Sequence, residues 1–174
     1  APYHEYLIEP SYNLILDGIK IYGRRSMDPD TNIGNSIVHV KEDIQVTVKE
    51  SSSDNVTYLG RNNNNGEYDP PGGSIVSLDS KGGAFRVEDK GSLRLEGGTI
   101  SDVAATYGSA IYLEAASADQ GRMHLTGKPA VTGSVYLSGN GVTTSAFVET
   151  DQNYQPASPL LISVGNDFNG RTVV

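Results

Sequence analysis

A two-residue apolar period, arriving in short bursts along almost the whole chain, restricts this sequence more than any other feature. Leu14, Leu16, Ile19 and Ile21 form one burst, and Ile37, Val40, Ile44, Val46 and Val48 another. Ile75 with Leu78, Phe85 with Val87, and Leu93 with Leu95 continue it. Ile111, Leu113, Met123, Leu125, Val131, Val135 and Leu137 follow, and Phe147, Leu160, Ile162 and Val164 close the series. The bursts are short and are broken or bounded by Gly, Asn, Asp, Ser or Pro, the pattern of strand and turn. Helical spacing is nearly absent, with Glu114 to Gln120 the one stretch that fits a single helical turn. The chain reads as all-β.

The bursts also echo one another. Leu14-x-Leu16-x-Gly18-x-x-Ile21 lines up with Leu93-x-Leu95-x-Gly97-x-x-Ile100. Gly91-Ser92-Leu93-Arg94-Leu95-Glu96-Gly97 recurs 30 residues later as Gly121-Arg122-Met123-His124-Leu125-Thr126-Gly127. Gly83-Ala84-Phe85-Arg86-Val87 is echoed by Ser109-Ala110-Ile111-Tyr112-Leu113 and again by Ser134-Val135-Tyr136-Leu137. The intervals are 24, 26 and 30 residues, so the repeat is irregular. Stacked coils of a solenoid tolerate such irregularity, because loops lengthen outside the stack without disturbing it. These echoes predict a right-handed parallel β-helix with coils of about 20–30 residues and long external loops. A β-sandwich is the rival, and the echoes weigh against it. At 174 residues the chain is the size of one domain, 1–174, which can bury a core without disulfides. Residues 1–12 and 139–174 are candidate caps or edge segments. Ser51 to Asn55 and Arg61 to Gly73 read as long excursions from the scaffold.

Composition removes several function classes. The chain has no Cys, which excludes thiol enzymes and cysteine-ligated zinc. A formal charge of −8 argues against binding a phosphate backbone, so no nucleic-acid partner is expected. The longest apolar run is Ala110-Ile111-Tyr112-Leu113, far short of the roughly 20 residues of a membrane span. The Ala1-Pro2-Tyr3 start fits a processed mature protein or an excised segment equally well.

Residues from about Gly82 to Leu137 resemble repeats of large bacterial surface proteins of the right-handed β-helix type. Gly97-Gly98-Thr99-Ile100-Ser101 matches their GG-T-hydrophobic-S unit, and Tyr107-Gly108-Ser109-Ala110-Ile111-Tyr112-Leu113 resembles their GG-A-I-Y-V unit. Thr132-Gly133-Ser134-Val135-Tyr136-Leu137 looks like the closing unit, and the tail from Leu161 to Val174 is similar to the strand pair that follows it. Polymorphic outer-membrane proteins of chlamydiae pair such repeats with F-x-x-N, which this chain lacks, and Asp102 stands where the commoner repeat has Gly-Asn. The resemblance implies a secreted or surface-displayed bacterial protein that is adhesive or structural, with a host or matrix protein, a glycan or another copy of itself as partner. It implies no catalytic residue and no cofactor.

Because β-helices also host polysaccharide lyases and hydrolases, carboxylates beside strands are candidates for acid–base work: Asp17, Asp79, Glu88, Glu96, Asp102 and Glu114. Asp17 and Glu96 occupy equivalent places in the echoed unit and form the best pairing. The plain alternative is an outward carboxylate before a turn glycine. His39 and His124 sit between apolar strand positions, as solvent-facing residues would. Asp28-Pro29-Asp30-Thr31-Asn32 carries oxygen ligands at every second residue, as calcium loops do, but also makes a good plain turn. Tyr3, Tyr6, Tyr12 and Tyr22 crowd the N-terminal segment, where they suit a cap over the end of the stack or a sugar-stacking platform.

Overall fold

The computed structural model describes residues 6–23, 36–61, 81–115, 121–139 and 146–165. Among them are fourteen strands and no helix, and every pairing between strands is parallel. Sandwiches are built from antiparallel sheets, so the rival fold is excluded. No helix among the described residues is long and apolar enough to cross a membrane.

The strands are β1 (Leu14–Asp17), β2 (Lys20–Gly23), β3 (Val38–Val40), β4 (Gln45–Lys49), β5 (Tyr58–Arg61), β6 (Phe85–Val87) and β7 (Ser92–Leu95). They continue as β8 (Thr99–Ser101), β9 (Ile111–Leu113), β10 (Arg122–Leu125), β11 (Ala130–Val131), β12 (Ser134–Leu137), β13 (Phe147–Thr150) and β14 (Leu161–Val164). They fall into three sheets ordered β1-β4-β7-β10-β13, β2-β5-β8-β11 and β3-β6-β9-β12-β14. The chain visits the first, second and third sheet in turn four times and then passes from β13 in the first to β14 in the third, which is the path of a parallel β-helix.

The echoes in the sequence are the stacking register. Leu14, Val46, Leu93, Met123 and Val148 lie side by side in the first sheet, at steps of 32, 47, 30 and 25 residues. Val38, Phe85, Ile111, Val135 and Ile162 do the same in the third sheet, and Ile21, Leu59, Ile100 and Val131 in the second. These inward rows make one continuous apolar core, with Phe85, Leu59, Leu93, Ile111 and Met123 wholly buried. Two steps exceed the expected coil length because long segments follow β2 and β5 at the corner leading into the third sheet. At that corner Val131 and Val135 are only four residues apart on the fourth coil.

The glycine-rich units are explained by the same corner. Gly82 and Gly108 take up neighbouring positions with φ of 65° and 64°. A Cβ there would fall 1.9 Å from the Phe85 carbonyl oxygen and 2.0 Å from that of Ile111. Ser109 replaces the next glycine of the unit without loss: its Oγ accepts from the Ser134 N–H at 2.7 Å, and the Ser109 N–H donates to Ser134 Oγ at 3.0 Å.

Ser51–Asn55 is not a long excursion but part of a short turn between β4 and β5, in which the Asn55 N–H donates to Ser52 O. Of the second, Arg61 ends β5 and the rest lies outside the described residues, as do Ile75 and Leu78. Glu114 and Ala115 are not helical, and 116–120 are outside the description. Ile19 is 42% exposed at a corner and does not join the core. At the N-terminal end Ile8 pairs with Val38 and continues the third sheet by one residue. The candidate edge segment 139–174 contains two strands, β13 and β14, which end the first and third sheets.

Candidate functional site

Among the described residues, the outer face of the third sheet carries a connected set of ion pairs and most of the ring contacts. Strand alternation turns the residue between two core positions outward. In parallel register this aligns His39, Arg86, Tyr112, Tyr136 and Ser163 in one row across the coils. A second row, one residue beyond the strands' last core positions, holds Lys41, Glu88, Glu114 and Ser138.

The face is charged at one end and aromatic at the other. His39 Nδ1 lies 2.9 Å from Glu9 Oε2, and Nε2 lies 2.8 Å from Glu88 Oε1. The Tyr6 ring covers the imidazole at a centroid distance of 4.0 Å. Lys41 Nζ stands 2.7 Å from the other Glu9 oxygen. Lys41, and then His39, hold the Glu9 carboxyl below its ordinary value. Arg86 donates from Nη1 to the Tyr6 hydroxyl at 2.9 Å and from Nη2 to Glu114 at 3.2 Å. Burial works against the Arg86 charge, but Tyr6 and Glu114 outweigh it and raise its value. Further along, Lys81 Nζ sits 5.0 Å over the Tyr112 ring, which is near-parallel to Tyr136 at 5.6 Å. Tyr107 meets Tyr136 edge-on at 5.3 Å.

This geometry revises the reading of His39, which points away from the core yet is 4% exposed because the N-terminal segment lies over it. Sequence reasoning missed Arg86 and Glu9 entirely. The crowding of N-terminal tyrosines was the one available hint, and among the described ones only Tyr6 joins this face. Tyr12 is 84% exposed, Tyr22 contacts Tyr58 on the second sheet at 5.5 Å, and Tyr3 lies outside the described residues.

The other candidates are dispersed. Asp17 and Glu96 share a row but stand two coils apart, with Lys49 between them. Asp17 lies 3.5 Å from Lys49 and accepts from the Ser51 N–H at 3.0 Å, and that N–H is the main reason its carboxyl is held low. Glu96 is paired with Arg94 at 2.5 Å, and Glu114 with Arg86. Asp102, at a corner with φ of 55°, accepts from the Tyr58 hydroxyl at 3.1 Å and the Ser101 hydroxyl at 3.0 Å. His124 has Glu149 at 3.8 Å and Asp151 at 3.6 Å. Asp79 and the Asp28, Asp30, Asn32 string lie outside the described residues. Among the described residues no group of three or more His, Asp and Glu side chains is arranged to hold a metal ion. None of the family models, curated proteins or solved structures compared with the chain matches it.

Proposed function

We propose that this chain is a non-enzymatic, extracellular structural or adhesive β-helix module of a bacterial surface protein. One observation carries the reading: outward charges are matched across neighbouring coils, as in Arg86 with Glu114 and Lys49 with Asp17. Charge used this way stitches a scaffold together, whereas acid–base catalysis needs carboxylates converging on a substrate. The aromatic end of the face, where Tyr107 is 37% exposed, supplies a contact surface for a glycan or a matrix protein. The test is binding of the whole chain to arrayed glycans and matrix proteins, with parallel assays for cleaved polysaccharide. Retention without cleavage, weakened by Tyr107→Ala, supports the module. Release of oligosaccharides overturns it.

A second reading, self-assembly through the ends of the stack, is favoured by the first coil, where Ile15 is 61% and Tyr22 45% exposed on strands that end their sheets. Charge opposes it in the simplest register. Setting β13 of one copy against β1 of the next, in the phase of the existing coils, brings Asp151 beside Asp17. Light scattering over a concentration series separates the two, since only the second reading gives particles that lengthen with concentration.

A further inference from the structure

We propose that residues Tyr6 to Glu9 form a pH-sensitive strap over the edge of β3, latched by a doubly protonated His39 and released when the ring keeps a single proton. The inference stands apart from the adhesive reading and holds or fails without it.

The argument begins with donor and acceptor counts. An ionised carboxylate only accepts hydrogen bonds, and a neutral imidazole has one N–H to give. His39 has a carboxylate oxygen within 2.9 Å of each ring nitrogen, one from the strap (Glu9) and one beyond β6 (Glu88). Both contacts are hydrogen bonds only if the ring carries both protons. Loss of either proton turns one contact into two facing lone pairs. The ring is shielded from water under Tyr6, so solvent does not make good the loss.

The remaining groups around the ring set the size of the response. From the strap, Tyr6 and Glu9 face it; Lys41 comes from beyond β3, Arg86 from β6, and Glu88 and Glu114 from the following row. Lys41 and Arg86 keep hold of Glu9 and the Tyr6 hydroxyl when His39 is neutral, so release is partial unfolding of the strap and not of the coil. What the strap covers is an edge. The Ile8 N–H donates to Ile37 O at 2.9 Å, and the His39 N–H donates to Ile8 O at 2.9 Å. An opened strap leaves the Ile37 carbonyl and the His39 N–H, at the edge of β3, as a template for an added strand.

Amide hydrogen exchange of the full chain by NMR, followed over a pH series from about 5 to 9, tests this. After correction for intrinsic exchange, protection at Ile8 and His39 is expected to fall roughly tenfold across the range, the scale of one lost charge-assisted hydrogen bond. Amides of β7 and β10 should keep theirs and report that the coil is folded. His39→Gln should abolish the pH dependence. Glu88→Gln, which keeps an acceptor beside Nε2 but removes its charge, should shrink it. Protection at Ile8 that is flat with pH in the native chain overturns the proposal, and so does an unchanged fall in either variant.

Discussion

His39 and His124 occupy matching local sequences, Val38-His39-Val40 and Met123-His124-Leu125, and each has two acidic residues at hand. Their surroundings differ sharply. The His39 side chain is 6% exposed and meets its carboxylates at 2.9 and 2.8 Å. That of His124 is 26% exposed and stands 3.8 and 3.6 Å from its acids, and its Nε2 is shielded without a hydrogen bond. The cause is a covering segment. Tyr6 and Glu9, some 30 residues away in sequence, close over one imidazole, while the other looks out beside β13 at the end of its sheet. Strand alternation decides that a side chain points outward, but only what lies over that sheet decides whether it becomes buried.

The largest effect that would break this comparison comes from removing the rings. His39→Leu leaves Glu9 and Glu88 facing each other without a bridging donor. With both carboxylates partly solvated, the expected loss is about 2 kcal/mol of stability. His124→Leu, at longer distances and greater exposure, should cost about 0.5 kcal/mol or less. Urea denaturation of both variants measures the gap, and equal losses would show that the strap adds nothing to His39.

Tyr6 sharpens the same contrast at smaller scale. Tyr6→Phe keeps the ring over His39 and removes only the hydroxyl that accepts from Arg86, so it should cost about 1 kcal/mol. Tyr12→Phe, at a side chain 84% exposed, should leave stability unchanged by the same denaturation measurement.

These examples also show which parts of the fold were legible. The echoes of Leu93-x-Leu95 in Met123-x-Leu125, and of Phe85-x-Val87 in Ile111-x-Leu113, are true neighbours in the stack, because inward positions of adjacent coils meet the same core. Leu59 went unread: β5 has one inward apolar residue, flanked by Tyr58 and Gly60, and so shows no alternation. The pairing of Asp17 with Glu96 failed for a related reason. Equivalence in a repeat gives the row but not the coil number, and Lys49 of the intervening coil had no Leu-x-Leu signature to mark it. The site was least legible of all, since its parts come from the N-terminal segment and from successive coils through β3, β6, β9 and β12, and share no local motif.

The finest distinction lies in the acids beside the two histidines. Glu9 and Asp151 are both held below their ordinary values, so each adds stability that is present above the normal carboxylate range and is lost as pH falls through the lowered value. The causes differ in order. For Glu9 they are Lys41 first and His39 next, both side chains. For Asp151 the main cause is the backbone N–H of Asn153, donating at 2.8 Å, and His124 contributes little. Replacing His39 with Gln should therefore move the Glu9 titration upward, toward the ordinary value. Replacing His124 with Gln should leave Asp151 almost where it was. Carboxyl chemical shifts followed by NMR through the acid range read both directly. A shift at Asp151 as large as that at Glu9 would mean that the open histidine engages its acids as closely as the covered one does.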